Sequence, residues 1–358
     1  MTKVATIDTR RFFALLLIAA MLMAMIPIGV AMLPSGVLAS DNAADNEASV
    51  EGGFALNNGA PVVNSVALYE HDDATTASAM DPTVEYIVQV SVTDTNTLAD
   101  LDSLYVTVYY DEDGTFNVGQ VPGSGSAQDG AILKWDALDT WTIDDGSSTW
   151  TIETDSVDPA DLAAQNTFTF KFHFKPGEVA KESVHDTDGD AEWMIYAVAT
   201  DLSTATANAR QETREMNWYG KISVIVVGGG PVAFGTLSLA DADQVCSNSV
   251  TATYTSNGPF DESVKADDVW GGSSMHAHLD TDDSPTNGKI SLEADDDTSL
   301  TDAVVVLSSD FTAIDTSDTI TTESGTAVNM KLWITIASSG IENESFTGTI
   351  FYQISNGS

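Results

Sequence analysis

The residues best suited to chemistry in this chain are aspartates set in glycine-containing loops. In Asp186-Thr187-Asp188-Gly189-Asp190, alternate carboxylates flank a glycine. Such a loop can turn several oxygens toward one point, and calcium takes about 6–8 oxygen ligands. Tyr110-Asp111-Glu112-Asp113-Gly114 has the same character. If the two loops leave the same end of the fold, Asp111 and Asp113 complete a calcium site with Asp186, Asp188 and Asp190. The loop is not an EF-hand, because its twelfth position is Ala197 rather than a bidentate glutamate. The plainer reading is a solvated turn leading into Trp193.

Other chemistry is weaker. His276-Ala277-His278 puts two imidazoles on one face if extended, with Asp280, Asp282 and Asp283 beyond, a set that could hold zinc or another transition metal. Asp295-Asp296-Asp297 reads as a solvated charge run. Cys246 is the single cysteine, so no disulfide forms within the chain, and it reads as a small buried apolar residue. There is no G-x-S-x-G elbow, no H-E-x-x-H and no nucleophile with an identifiable base, so no enzyme is expected and no catalytic residue is assigned. A glycoside hydrolase remains the third reading, since its paired carboxylates have no fixed sequence spacing. Trp141, Trp150, Trp218 and Trp270 could stack on sugars if exposed, which makes a carbohydrate-binding module the second reading. Asn343-Glu344-Ser345 and Asn356-Gly357-Ser358 fit the N-glycosylation acceptor.

These residues must be positioned by strands. From residue 60 onward, apolar stretches alternate with a period of two and are bounded by Asp, Gly, Asn or Pro. Thr167–Lys175 is the clearest: Phe168, Phe170, Phe172 and Phe174 share one face, and a second sheet is needed to cover it. Val84–Val92, Leu104–Tyr110, Trp193–Thr200 and Lys221–Val227 follow the same pattern. Asp144-Asp145-Gly146 is expected to join strands at 140–143 and 149–152 as a hairpin, and Asp158-Pro159 to start one helical turn. Gly228-Gly229-Gly230-Pro231 interrupts the pattern. Beyond it, Val232–Leu239, Ser249–Thr255, Lys289–Ala294, Ala303–Leu307, Met330–Ile336 and Thr347–Ile354 resume it. The expected fold is all-β, two tandem antiparallel sandwiches of immunoglobulin-like or jelly-roll-like type behind an N-terminal signal helix. Residues 1–39 form the signal or anchor, 40–59 a flexible linker, 60–227 the first sandwich, 228–231 a Gly/Pro linker and 232–358 the second.

Lys3, Arg10 and Arg11 precede an apolar run from Phe12 to Leu33, and Val37-Leu38-Ala39 offers small residues at the positions a signal peptidase reads. The alternative is an uncleaved anchor, because about 20 apolar residues span a bilayer. Thr9-Arg10-Arg11-Phe12-Phe13 resembles a twin-arginine export signal, and the general secretory route fits equally. The chain carries 54 acidic against 13 basic side chains, a net charge of −41. Without residues 1–39 it holds 53 and 10, a net −43. Such a surface excludes nucleic acid as a partner, and membrane only through residues 12–33 is left. The acidity is either a solubilising coat for high salt, where charges are screened over about 3 Å at 1 M, or in part a set of calcium ligands.

Glu192-Trp193-Met194-Ile195-Tyr196-Ala197-Val198-Ala199-Thr200-Asp201 resembles the late strand of immunoglobulin-like modules of secreted microbial surface proteins, and Tyr86–Asp94 is similar to an early one. Thr347–Ile354 resembles the closing strand of secreted sandwiches and fibre subunits. The resemblance covers roughly residues 60–227 and implies an extracellular or cell-surface location and a structural or adhesive role. Self-association through sheet edges and cation-bridged acidic loops, contact with other surface components, or binding of a glycan is then expected. Phe54-Ala55-Leu56 and Val62-Val63 suit a segment that pairs with a neighbour's open edge.

Overall fold

The structure is a computed structural model that describes residues 53–54, 57–111, 130–153, 159–183, 192–306, 310–317 and 320–357. Its first ten strands are β1 (Val62–Glu70), β2 (Ala79–Met80), β3 (Tyr86–Thr93), β4 (Leu101–Asp111), β5 (Gly130–Asp136), β6 (Thr140–Asp145), β7 (Thr151–Glu153), β8 (Thr167–Lys175), β9 (Glu192–Asp201) and β10 (Thr206–Met216). One helical turn, α1 (Pro159–Ala163), precedes β8 as expected. These strands form a four-stranded sheet, β1-β3-β8-β7, and a six-stranded sheet, β2-β10-β9-β4-β5-β6.

The phenylalanine strand shows why two sheets are needed. In β8, Phe170, Phe172 and Phe174 are wholly buried, and across the gap each meets a tryptophan. Trp135 lies 4.7 Å from Phe170 and Trp141 4.9 Å from Phe172, while Trp150 stacks nearly parallel on Phe174. Val88, Val90 and Val92 of β3 and Leu104, Val106 and Val108 of β4 complete this core. The opposite face of β8 is polar and paired: Lys171 bonds Asp73, and His173 meets Glu85.

The remaining strands are β11 (Gly220–Val226), β12 (Gln244–Val245), β13 (Val250–Ser256), β14 (Phe260–Ala266), β15 (Val269–Gly271), β16 (His276–Leu279), β17 (Lys289–Asp295), β18 (Val304–Val305), β19 (Thr312–Ser317), β20 (Thr326–Ile336) and β21 (Ile350–Asn356). The path β11-β13-β20-β17-β16-β15, with β12 on β20 and β18 on β17, faces a three-stranded sheet, β19-β14-β21. A second core, separate from the first, lies between them, with Tyr254, Leu292, Met330 and Leu332 fully buried. The chain is therefore all-β. Among the described pairings only β2 with β10 and β16 with β17 are parallel.

Four expectations change. The strand before the glycine run, β11, pairs along its whole length with β13 and so belongs with the second core. The glycines at 228–230 all take positive φ, and Gly229 N–H bonds Val226 O, which makes them a turn within that unit rather than a link between units. No hairpin joins residues 140–143 to 149–152: β6 pairs with β5, and β7 pairs with β8 in the other sheet. Buried Trp150, after a Ser147–Trp150 turn, draws the chain across the core. Val232–Leu239 forms no strand: Gly235 takes a positive φ and Leu239 begins a turn, while Val232, Phe234 and Leu237 pack on the second core. Val62-Val63 begins β1, where Val63 pairs in register with Val92 of β3. Among the described residues no helix is long and apolar enough to cross a membrane; residues 1–52, with the expected signal or anchor, lie outside them.

The two units are joined through Asn257, which is wholly buried. Its Nδ2 donates to Ala180 O at 2.7 Å and Asn217 O at 2.9 Å, and its Oδ1 accepts from Tyr219 N at 2.6 Å. Thr149 Oγ1 to Glu323 and Asn356 Nδ2 to Glu182 add to this contact.

Candidate functional site

Of the expected cation ligands, only Asp111 falls among the described residues; Asp113, Asp186, Asp188 and Asp190 lie outside them. Asp111 is the last residue of β4, is buried, and pairs in register with Glu192, the first residue of β9. One strand thus ends where the other begins, at the end of the first unit that faces the second.

Two acid groups of cation-ligand spacing hang from β17, and neither was expected. Carboxylate oxygens of Asp243, Asp283 and Glu293 lie within 4.8 Å of one another, as do those of Asp295, Asp297 and Asp302. Ligands at 2.3–2.6 Å from a calcium ion stand up to about 5 Å apart, so both spacings suit that ion. Glu293 is nine-tenths buried opposite Trp333 of β20. Burial, then the charges of Asp283 and Asp243 and a hydrogen bond with Asp283, push its pKa up to about 7. Glu293 therefore holds a proton in mildly acidic solution. Asp295 is buried at the end of β17, its Oδ1 accepting from Asp297 N at 3.2 Å, so the charge run is only partly a solvated loop.

A third group sits at the far end of the first unit. Asp94 follows β3, Asp100 closes a 3-10 turn at Leu98–Asp100, and Asp201 ends β9; Leu101 pairs with Asp201. Asp94 and Asp201 are fully buried. Burial, then the negative charges of Asp94 and Asp201, raise the pKa of Asp100. Nothing in the sequence marks this group, because its members sit in three separate turns.

The other singled-out residues resolve plainly. His276 and His278 do share one exposed face of β16, alternating with buried Ala277 and Leu279, and His278 lies 3.8 Å from Asp268. Neither joins a group of three ligand-spaced residues among those described. Cys246 is buried, its thiol donating to Asn248 O at 3.0 Å. Trp141, Trp150 and Trp270 are buried in the cores, and half-buried Trp218 donates to Pro259 O, so these four offer no open stacking platform for a sugar. They are needed to fill the space that the phenylalanines and small strand residues leave. Glu344, inside the glycosylation-like triplet, caps the turn before β16: it accepts from Ser273 Oγ, Ser274 N and Met275 N, which hold its pKa down at about 2.

No protein-family model matches this chain, and no curated protein matches it. Among solved structures it is similar to the CupB6 tip adhesin from Pseudomonas aeruginosa, at 9% identity and a TM-score of 0.23, over 82% of this chain and 93% of that one. A DUF4466 family protein from Parabacteroides merdae ATCC 43184 is similar at 11% identity and a TM-score of 0.23, over 77% and 99%. Overlaps at that TM-score carry no argument about fold or role.

Proposed function

We propose that the protein is an exported, cell-surface or extracellular structural or adhesive component that works by association rather than catalysis, other copies or surface components being its partners. The observation that supports this most is the edge strand β11. It ends the path of its sheet and pairs on one side only, and Ile225 is 61% exposed, with Val227 at 53% beside it. An apolar strand open on one side is a template for a further strand, and soluble proteins normally blunt such edges with charge or proline. Lys221 is the only charge on β11. The acid groups on β17 are suited to bridging through calcium, which would tie assembly to the ion. Export rests on residues 1–39 and the charge.

The test is light scattering and electron microscopy of the purified protein with and without calcium, beside an Ile225→Lys/Val227→Lys variant. Assemblies that disappear in the variant while its β-sheet circular dichroism is retained are the expected result. A wild type that stays monomeric across salt and calcium titrations refutes the proposal.

A further inference from the structure

Resting on the assembly reading, we infer that the strand which completes the open edge of β11 is the segment 50–56 of a second copy, so that chains join head to tail. β11 bonds β13 through its odd-numbered residues. Val227 N donates to Ser249 O just past one end of the strand and Asn257 N to Tyr219 O just before the other, both on the register that pairs Val226 with Val250. In an antiparallel pair such bonded positions alternate with positions whose backbone groups point the other way. The N–H and C=O of Ile222 and Val224 therefore face the open side of the sheet. Their side chains face inward, since Ile222 and Val226 pack on the second core. Val224 shares that face and yet is 39% exposed, so the core is uncovered beside it. The opposite sheet ends on the same side with β21, whose Ile354 lies against Gly220 of β11. An added strand finds backbone partners on β11 and an apolar seat beside Val224.

The occupant needs apolar side chains at alternate positions and no seat in its own unit. Residues 50–56 read Val-Glu-Gly-Gly-Phe-Ala-Leu, which sets Val50, Phe54 and Leu56 on one side of an extended chain. Phe54 is 86% exposed, so its own chain leaves it in water. Among the described residues the chain is first held at Asn58, which donates to Asp201 Oδ2 and Ser203 Oγ, and at Gly59, whose N–H donates to Asn96 Oδ1. These contacts lie at the end of the first unit where Leu101 pairs with Asp201. The second unit joins at the opposite end, where Asp111 pairs with Glu192 and Asn257 bonds Asn217 O after β10. The eleven residues of β4 run between these ends, and at about 3.3 Å per step they stand about 33 Å apart. From Asn58, Phe54 reaches at most about 14 Å. It cannot reach β11 of its own chain, and only another copy presents that edge to it. Segment and edge are different surfaces at opposite ends of the molecule, so the contact is heterologous and repeats from copy to copy.

The experiment mixes two full-length variants at about 1 M sodium chloride, where repulsion between acidic copies is screened, and reads their mass by light scattering. Phe54→Asp/Leu56→Asp removes the apolar face of the segment and lies outside both cores. Val224→Pro spoils the edge: the Val224 N–H faces the open side, so proline there costs β11 no bond to β13 but denies one to an added strand. The wild type forms chains, and each variant alone is monomeric, its self-association weakened at least about a hundredfold. The equimolar mixture gives a species of two chains and nothing larger, because one intact segment meets one intact edge. Residue-resolved hydrogen exchange adds a local reading. The Ile222 and Val224 amides slow in wild-type chains and not in the segment variant, while the Ile225 amide, bonded to β13, is alike in both. Val224→Lys, which sets a charge at the uncovered position, repeats the test should the proline alter the β-sheet circular dichroism. A segment variant that still assembles, or a mixture that stays monomeric, overturns the inference and leaves assembly through another contact standing. A wild type that stays monomeric throughout overturns both.

Discussion

Replacing Glu293 by Gln makes the stability of the second unit independent of pH over the range in which it otherwise changes most. In the folded chain the Glu293 carboxyl is pushed up to about 7 by burial and by Asp283 and Asp243, against an ordinary value of 4.5. Between those two values the folded state binds more protons than the unfolded one, so stability falls as pH rises from about 4.5 to 7. Below the unfolded value both states are protonated, and above the folded value both are ionised, so the window closes on either side. A shift of this size corresponds to about 3 kcal/mol as an upper figure. The low-pKa carboxyls, among them Asp280 and Glu344, act in the opposite direction and at lower pH, which leaves the window to Glu293. Hydrogen exchange of β17 and β20 in chelator, at several pH values from 5 to 8, reads this sheet alone. Wild-type protection should drop across the window, and Glu293→Gln should stay flat and be the more protected at pH 8. Parallel profiles for the two proteins would refute the assignment of the burial penalty to Glu293.

Phe172→Ala removes a fully buried ring that meets Trp141 at 4.9 Å, and should cost about 3–5 kcal/mol in urea unfolding followed by tryptophan fluorescence. Asn257→Ala leaves buried Ala180 O without its partner, at about 1–3 kcal/mol, removes the partner of half-buried Asn217 O and Tyr219 N, and should open the chain near Met216–Gly220 to limited proteolysis. Glu344, held at about 2 by the Ser273 hydroxyl and the amides of the next two residues, steadies its turn above pH 4.5 and releases it as pH falls toward 2. Acid should therefore raise exchange at residues 272–276 in the wild type, and Glu344→Gln should show that faster exchange already at neutral pH.

Alternation made much of the fold readable. β8 was bounded to the residue, and β3, β4, β9, β13 and β17 to within a few, because each carries an apolar face that must be buried. β10 (Thr206–Met216) and β14 (Phe260–Ala266) were missed for the opposite reason. Their inward positions include Glu262 on β14, and β10 is polar along most of its length, so apolar period carries no signal. The hairpin at residues 144–146 failed because a turn motif fixes a reversal but not the sheet that the returning strand joins. The acid groups were unreadable in principle: Asp243, Asp283 and Glu293 come from three segments, and only the β12–β20–β17 register brings them together.

That last point bears on how the acidity itself should be read. A coat of charge leaves its carboxylates in water, yet Asp94, Asp201, Asp280, Glu293 and Asp295 are buried. They are accommodated in different ways. Asp280 stays ionised on Thr286 N and Oγ1, Thr281 N and the Lys289 ammonium, which hold its pKa down. Glu293 instead takes up a proton near neutrality. Asp94 keeps one donor, Asn96 N on its Oδ1, and burial with the charge of Asp94 raises the pKa of half-buried Asp100. Monovalent salt acts on the exposed majority, whose mutual repulsion is screened within about 3 Å at 1 M. Net charge thus describes the surface, while the acids with specific chemistry are the few that folding has taken out of water.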